Sequence, residues 1–259
     1  MWRKWHTFGV LLSIGAILGV GALSVWVEFD SDQNWGVWSF LILAGLLTIL
    51  LGVIGHGRVR RVDGALIDHN RISLANFQIA VWTVLVLGAW GAAVFANLAI
   101  NESTVAFEVS IPNELWLALG ISATTFGGAK LVQSREAGTP PAPPPPAAEV
   151  ALEQSGESPV GWQARGNLLT HVSAADANWG DMFAADGTDA GGAPDISKIQ
   201  MFFFTVVLAF GYAVACVDLF ADQGSDPIPG LPGLNEAFVI LLGISQGSYL
   251  VKKTVDLRM

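Results

Sequence analysis

The sequence predicts an all-α fold, a six-helix transmembrane bundle with a parallel two-helix internal repeat. Three observations carry that prediction. Six apolar runs come close to the length of a membrane-spanning helix. All the lysines and arginines fall on one side of the layout those runs impose. One pair of runs reappears further along the chain at a nearly constant spacing. Composition agrees: the 259 residues are 52% hydrophobic and 14% charged, against ~25% charged in a typical soluble domain. Mean hydropathy is +0.51.

The runs are 7–27, 37–55, 78–99, 114–132, 200–220 and 236–251. A bilayer core of ~30 Å needs about 17–25 apolar residues per helix. In hydrocarbon every backbone amide has to be paired within its own segment, which makes helices of these runs. A transmembrane barrel would instead need alternating segments of ~10 residues, and the sequence has none. The first run follows the basic start "MWRKWH". It exceeds the ~7–15 apolar residues of a signal peptide and lacks a cleavage site, so it is expected to remain as helix one.

Charge sets the orientation. With the N-terminus inside, Arg3, Lys4, Arg58, Arg60, Arg61, Arg71, Lys130, Arg135, Arg165, Lys198, Lys252, Lys253 and Arg258 all lie inside, the full set of 13. The outside segments carry acidic residues such as Glu28, Asp30, Glu102, Glu108, Asp218 and Asp222, and no basic one. The positive-inside rule then predicts six helices with both termini cytoplasmic. Trp2 and Trp5 on one side, and Trp26, Trp35, Trp38 and Trp116 on the other, fit interfacial aromatic belts.

"SLANFQIAVWTV", starting at Ser73, aligns with "DISKIQMFFFTV", starting at Asp195. The alignment places Gln78 on Gln200 and Thr83 on Thr205, both at a spacing of 122. One inserted residue makes the spacing 123 at "GIS", where Gly120 aligns with Gly243, Ser122 with Ser245 and Lys130 with Lys253. Both copies cross in the same direction, so the implied pseudo-twofold axis runs along the membrane normal. The chain divides into an N-terminal helix pair (1–56), a first repeat with its cytoplasmic loop (57–132), a proline-rich cytoplasmic insert (133–194) and a second repeat (195–259). These paired motifs, together with "IPNELWLALGIS" and "LLGISQGSYL", resemble a group of bacterial multi-pass membrane proteins that has no assigned activity. The resemblance implies a bacterial inner-membrane location and carries over no catalytic residue.

The repeated phrase in "LALGISATTFGGAK" and "LLGISQGSYLVKK" has two readings. Small residues let transmembrane helices approach closely, and Gly15, Gly19, Gly120, Gly128, Gly243 and Gly247 stand at such spacings. Helices four and six are also the shortest runs, each interrupted by glycine and hydroxyl groups at corresponding positions. Paired interrupted helices point to a binding site or pathway. On that reading Ser122, Thr124, Thr125, Ser245, Gln246, Ser248 and Tyr249 line a polar path, where uncharged oxygens replace part of an ion's hydration shell. Gln78, Thr83, Gln200, Thr205, Lys130 and Lys253 would form its cytoplasmic mouth. The two glutamines read first as caps or interfacial hydrogen bonds, with the mouth as the alternative.

In the insert, "TPPAPPPPAAEV" (139–150) reads as a polyproline II spacer. Trp162, Leu168, Leu169, Trp179, Met182 and Phe183 are expected either in the interface or packed under the bundle. The acidic, glycine-rich 186–195 lacks the EF-hand pattern. Cys216, the single cysteine, excludes an intrachain disulfide and reads as a buried apolar residue. The chain has no HExxH, GxSxG or Walker loop. No enzyme, cofactor or metal site is therefore expected, and the insert's net negative charge argues against nucleic acid. The expected partners are membrane lipids, further copies of the chain and a cytoplasmic protein. The expected function is channel-like or transporter-like passage of an ion or small solute along helices four and six in an oligomer; the alternative is a non-transporting scaffold that recruits a protein through the 133–194 insert.

Overall fold

The computed structural model describes residues 4–26, 35–100, 105–136, 138, 140–154, 156–188, 192–222 and 226–255. Among them are seven α-helices: α1 (Lys4–Trp26), α2 (Trp35–Val59), α3 (Leu74–Ala99), α4 (Asn113–Glu136), α5 (Pro146–Gln154), α6 (Ile196–Ala221) and α7 (Glu236–Val255). Three of them, α2, α3 and α6, are long and apolar enough to cross a membrane. The apolar stretches Thr7–Leu23 in α1 and Glu236–Ser248 in α7 are shorter. α4 falls outside this set, because Gly120, Thr124, Thr125, Gly127, Gly128 and Lys130 dilute its apolar character.

The chain is mostly helical but not all-α, which corrects the sequence expectation. β1 (Ile67–Asp68) pairs antiparallel with β2 (Arg71–Ile72). The connecting His69 and Asn70 both have left-handed backbones, φ +47° and +60°. That turn matches the twist of a two-residue hairpin, and Asn is among the few side chains that tolerate the conformation. A second sheet has the antiparallel order β3–β4–β5, with β3 Pro141–Ala142, β4 Trp162–Arg165 and β5 Leu168–His171. Gly166, at φ +58°, makes the β4–β5 turn. The proline tract is thus more than a spacer. Pro141 and Ala142 pair with Arg165 and Ala164, and Pro146 opens α5, where its fixed φ suits the first helical turn.

The chain forms two compact units. The first comprises 1–65, 80–119 and 206–239. There α1 packs along α2, with Gly9 against Val53 and Gly21 against the Phe95 ring. A 3-10 turn, Val62–Leu66, folds back onto the end of α2. A Cβ on Gly55 would sit 2.5 Å from the Ala65 amide nitrogen, and one on Gly64 would collide with the Gly55 carbonyl. Only glycine fits either position. The interior holds Phe40, Leu43, Trp82, Val86, Ala89, Tyr212, Cys216 and Phe220, with Phe40 against Phe220 and Trp82 against Tyr212. Cys216 is buried, as expected. The buried Asn97 fixes the 226–231 loop reciprocally, donating from Nδ2 to Ile228 O at 3.1 Å and accepting from Ile228 N at 2.7 Å. Ser110 extends the seam by two backbone bonds, to Pro229 O and from Leu231 N.

The second unit comprises 66–79, 120–205 and 240–259. α5 covers the three-stranded sheet through Ala148 and Leu152 on Trp162 and Leu169. A second core joins Ile72, Leu74, Ala177, Met182 and Met201, with Phe77, Phe183, Phe202 and Leu250 against it. The insert therefore folds around an apolar interior of its own, and shares a second with the hairpin and the starts of α3 and α6.

Candidate functional site

The second unit is organised around one buried side chain, Arg71, on β2. The tight His69–Asn70 turn carries its guanidinium into the insert, where the side chain is 7% exposed. Its four Nη hydrogens have four backbone acceptors. Nη1 donates to Leu169 O at 3.2 Å and Ala185 O at 3.0 Å; Nη2 donates to Asp181 O and Ala184 O, each at 3.3 Å. The guanidinium also lies 5.5 Å from the centre of the Trp162 ring and 3.5 Å from Asp186 Oδ1. Bidentate, planar donation of this kind is what distinguishes arginine from lysine.

Three carboxylates complete the network. The buried Asp181 accepts from His171 Nε2 at 3.0 Å on one oxygen. On the other it accepts from the backbone amides of Ile72 at 3.2 Å and Asn178 at 2.9 Å. His171 stacks on Trp162 with centroids 3.8 Å apart. Asp186 receives Lys198 Nζ at 2.7 Å, and Lys198 also donates to Ala184 O at 2.7 Å. Asp68 on β1 pairs with Lys130 of α4 and, at 3.2 Å, with His69. Burial works to raise the Asp68 carboxyl; hydrogen bonds from His69 and Lys130 outweigh it and hold the group below the usual carboxylate range. Asn70 adds a clamp at the hairpin tip, donating from Nδ2 to His171 O at 2.9 Å.

A cavity of about 40 Å³ opens beside this network, lined by Asp68, His69, Arg71, Thr170, Asp186 and Lys198 among others. Each ion has a protein partner, so the site pins segments distant in sequence: hairpin, sheet, acidic loop and the start of α6. Among the described residues, no three His, Cys, Asp or Glu side chains are grouped to hold a metal.

The residues singled out from sequence are scattered. Gln78 and Thr205 come together: Gln78 Nε2 donates to Thr205 Oγ1 at 2.7 Å, and both are buried. Their counterparts differ, since Gln200 is exposed and Thr83 half-buried. Ser245 and Gln246 are buried; Gln246 is 1% exposed with neither amide atom hydrogen-bonded. Thr124 and Ser248 are exposed, and their hydroxyls donate to the carbonyls one turn back, Gly120 O and Ile244 O. The side chains of Ser122, Thr125, Tyr249 and Lys253 lie outside the described residues. Lys130 pairs with Asp68. Of the proposed packing glycines, Gly128 lies against Leu250 and Gly243 against Ile121. Gly15, Gly19, Gly120 and Gly247 face open space.

Sequence reasoning counted Arg71 and Lys198 only as positive charges and missed His171 and Asp181 as a pair. The signal available was "IDHNRI", a hairpin-length segment whose central Asn tolerates a positive φ. Comparison of the chain with protein-family models, with curated proteins and with solved structures finds no match. The functional reading therefore rests on the residues themselves.

Proposed function

We propose that the chain is a non-transporting, multi-pass membrane scaffold, which anchors the folded 133–194 insert on the cytoplasmic face of a bacterial inner membrane for recruitment of a protein partner. In this reading six helices cross the bilayer, the 73–130 and 195–253 segments are parallel repeats, and the anchor is a homo-oligomer. The observation that carries the reading is the Arg71 network. A buried cation whose two Nη groups are bonded to four carbonyls, with its carboxylate and histidine neighbours, is an expensive way to hold a mere connecting loop. It is what a presented binding module needs, because a rigid surface loses less entropy on binding. The open end of the β4–β5 hairpin offers an apolar pair for that purpose: Val160 is 88% exposed and Val172, joined to Gly161 by a 2.8 Å backbone bond, is also exposed.

A photocrosslinking residue at Val160 or Val172 tests this in cells. The scaffold reading expects one discrete adduct, lost in Arg71→Met at equal expression. No discrete adduct from either position contradicts it.

One observation favours the transport reading. The unpartnered Gln246 amide is fully buried beside Ser245 on the helix that carries the repeated phrase, and a buried polar group without a partner calls for an explanation. If an ion or small polar solute supplies the missing bonds, proteoliposomes will show a flux that Gln246→Leu abolishes. Equal background flux in both proteins removes this reading.

A further inference from the structure

The large apolar side chains of the insert differ in burial. Trp162, Leu168, Leu169 and Met182 are buried, whereas Trp179 is 51% exposed. Its ring meets Phe77 edge-on at 6.4 Å. Phe77 lies 5.6 Å from Phe202, and Phe202 lies 6.0 Å from Phe203. The indole is thus one end of a connected aromatic row, and the other end is Phe203, 61% exposed on α6. Phe203 belongs to a stripe along that helix: Ile196, Phe203, Val207, Phe210 and Val214 are all exposed. The steps of seven, four, three and four residues keep them on one helix face. On a helix of spanning length such a stripe faces lipid.

Depth follows from the same helix. Asp218 is an exposed carboxylate near the C-terminal end of α6. Counting back from it, ~20 residues at ~1.5 Å each cover a ~30 Å hydrocarbon core and end at Lys198. Lys198 does not face the lipid; it is buried against Asp186. Phe203 sits ~7.5 Å deeper in the core by the same rise per residue. The aromatic row therefore connects Phe203, inside the core by this count, to Trp179 on the insert. Indole favours the boundary of the core, with its ring in the acyl region and its N–H in water.

We infer that Trp179 is a membrane-interface anchor: the face of the insert carrying it docks onto the inner leaflet of the bilayer that α6 crosses. The inference rests on the membrane reading above and goes beyond it, because it fixes the insert's pose against the lipid. A protein or a second copy covering the same face is the alternative occupant.

The test uses the full chain in liposomes of phosphatidylcholine and phosphatidylglycerol. Trp179→Cys, Phe203→Cys and Val160→Cys carry an environment-sensitive fluorophore; Cys216 is buried, and wild-type protein supplies the labelling blank. Quenchers are aqueous iodide and a lipid with a nitroxide near its headgroup. The expected result is lipid quenching at positions 179 and 203, at least threefold stronger than at 160, and iodide quenching at 160 alone. If 179 behaves like 160 while 203 is quenched from lipid, the anchor idea fails and the membrane reading survives. If 179 is shielded from both quenchers, a protein covers this face and the inference is overturned. Iodide quenching at all three overturns it together with the membrane reading. A second measurement avoids the cysteine variant: the emission difference between wild type and Trp179→Phe, isolating one of ten tryptophans, is expected to be quenched by brominated lipid.

Discussion

Replacing Arg71 by methionine, which keeps most of the side-chain volume, tests the architecture at its centre. The substitution removes four donors at 3.0–3.3 Å and leaves the carbonyls of Leu169, Asp181, Ala184 and Ala185 without them. It also takes one of two cations from Asp186. Hydrogen bonds from a charged donor contribute ~1.5–3 kcal/mol each, but they are not additive here because the guanidinium makes them as one unit. Breaking a buried charge network costs about 3–5 kcal/mol. At ~1.4 kcal/mol per tenfold change, local opening of the insert should rise about 100- to 4,000-fold. Hydrogen exchange in detergent or nanodiscs reads this at the Leu169 and Ala185 amides, bonded to Asp186 O and Ala193 O. Amides in the middle of α3, around Ala92, serve as the internal reference. Arg71→Lys is expected to fall between, since three hydrogens on one nitrogen cannot span four carbonyls. Exchange in Arg71→Met within threefold of wild type would refute the clamp.

Further outcomes follow from other contacts. A double-mutant cycle on Gln78→Leu and Thr205→Val, read by unfolding in mixed micelles, should give a coupling of about 0.6 kcal/mol and no more than ~1.7; zero coupling argues that the 2.7 Å bond is not formed. Gly55→Val places its side chain on the backbone of Gly64 and Ala65, so it should lower the midpoint of thermal unfolding by several degrees, whereas Gly15→Val, facing open space, should leave it unchanged. Acid stability should depend on Asp68. Its carboxyl is held below its unfolded value of ~3.9, so its contribution is complete above that pH and is lost as pH falls through the folded value. The expected result is a loss of thermal stability below about pH 4 that is shallower in Asp68→Asn; identical acid limbs would contradict the Asp68–Lys130 pairing.

The helices were legible because long apolar runs have one physical solution, and the structure begins and ends them close to where hydropathy does. α3 starts four residues earlier than expected, which carries Gln78 inside the helix and into contact with Thr205. The small sheets were not legible. Leu168–His171 is buried at every position, so β5 lacks the alternation that marks a half-exposed strand. β3 and α5 begin on prolines, which sequence patterning reads as spacer. The site itself was least visible, because its bonds join residues about 100 positions apart, such as Arg71 with Leu169 and Ala185. Nothing local to "NRIS" distinguishes a buried arginine from a topogenic one. The repeated phrase was legible as a repeat, yet its members part ways: Ser245 and Gln246 turn inward while Thr124 and Ser248 turn out.

The claim on which the functional reading depends is that a folded insert stands on the cytoplasmic side of a membrane anchor. Labelling Val160→Cys with a membrane-impermeant maleimide, in right-side-out and inverted inner-membrane vesicles, tests it most directly. The account predicts rapid modification in inverted vesicles and none in right-side-out ones until detergent is added. Modification of intact right-side-out vesicles would contradict it.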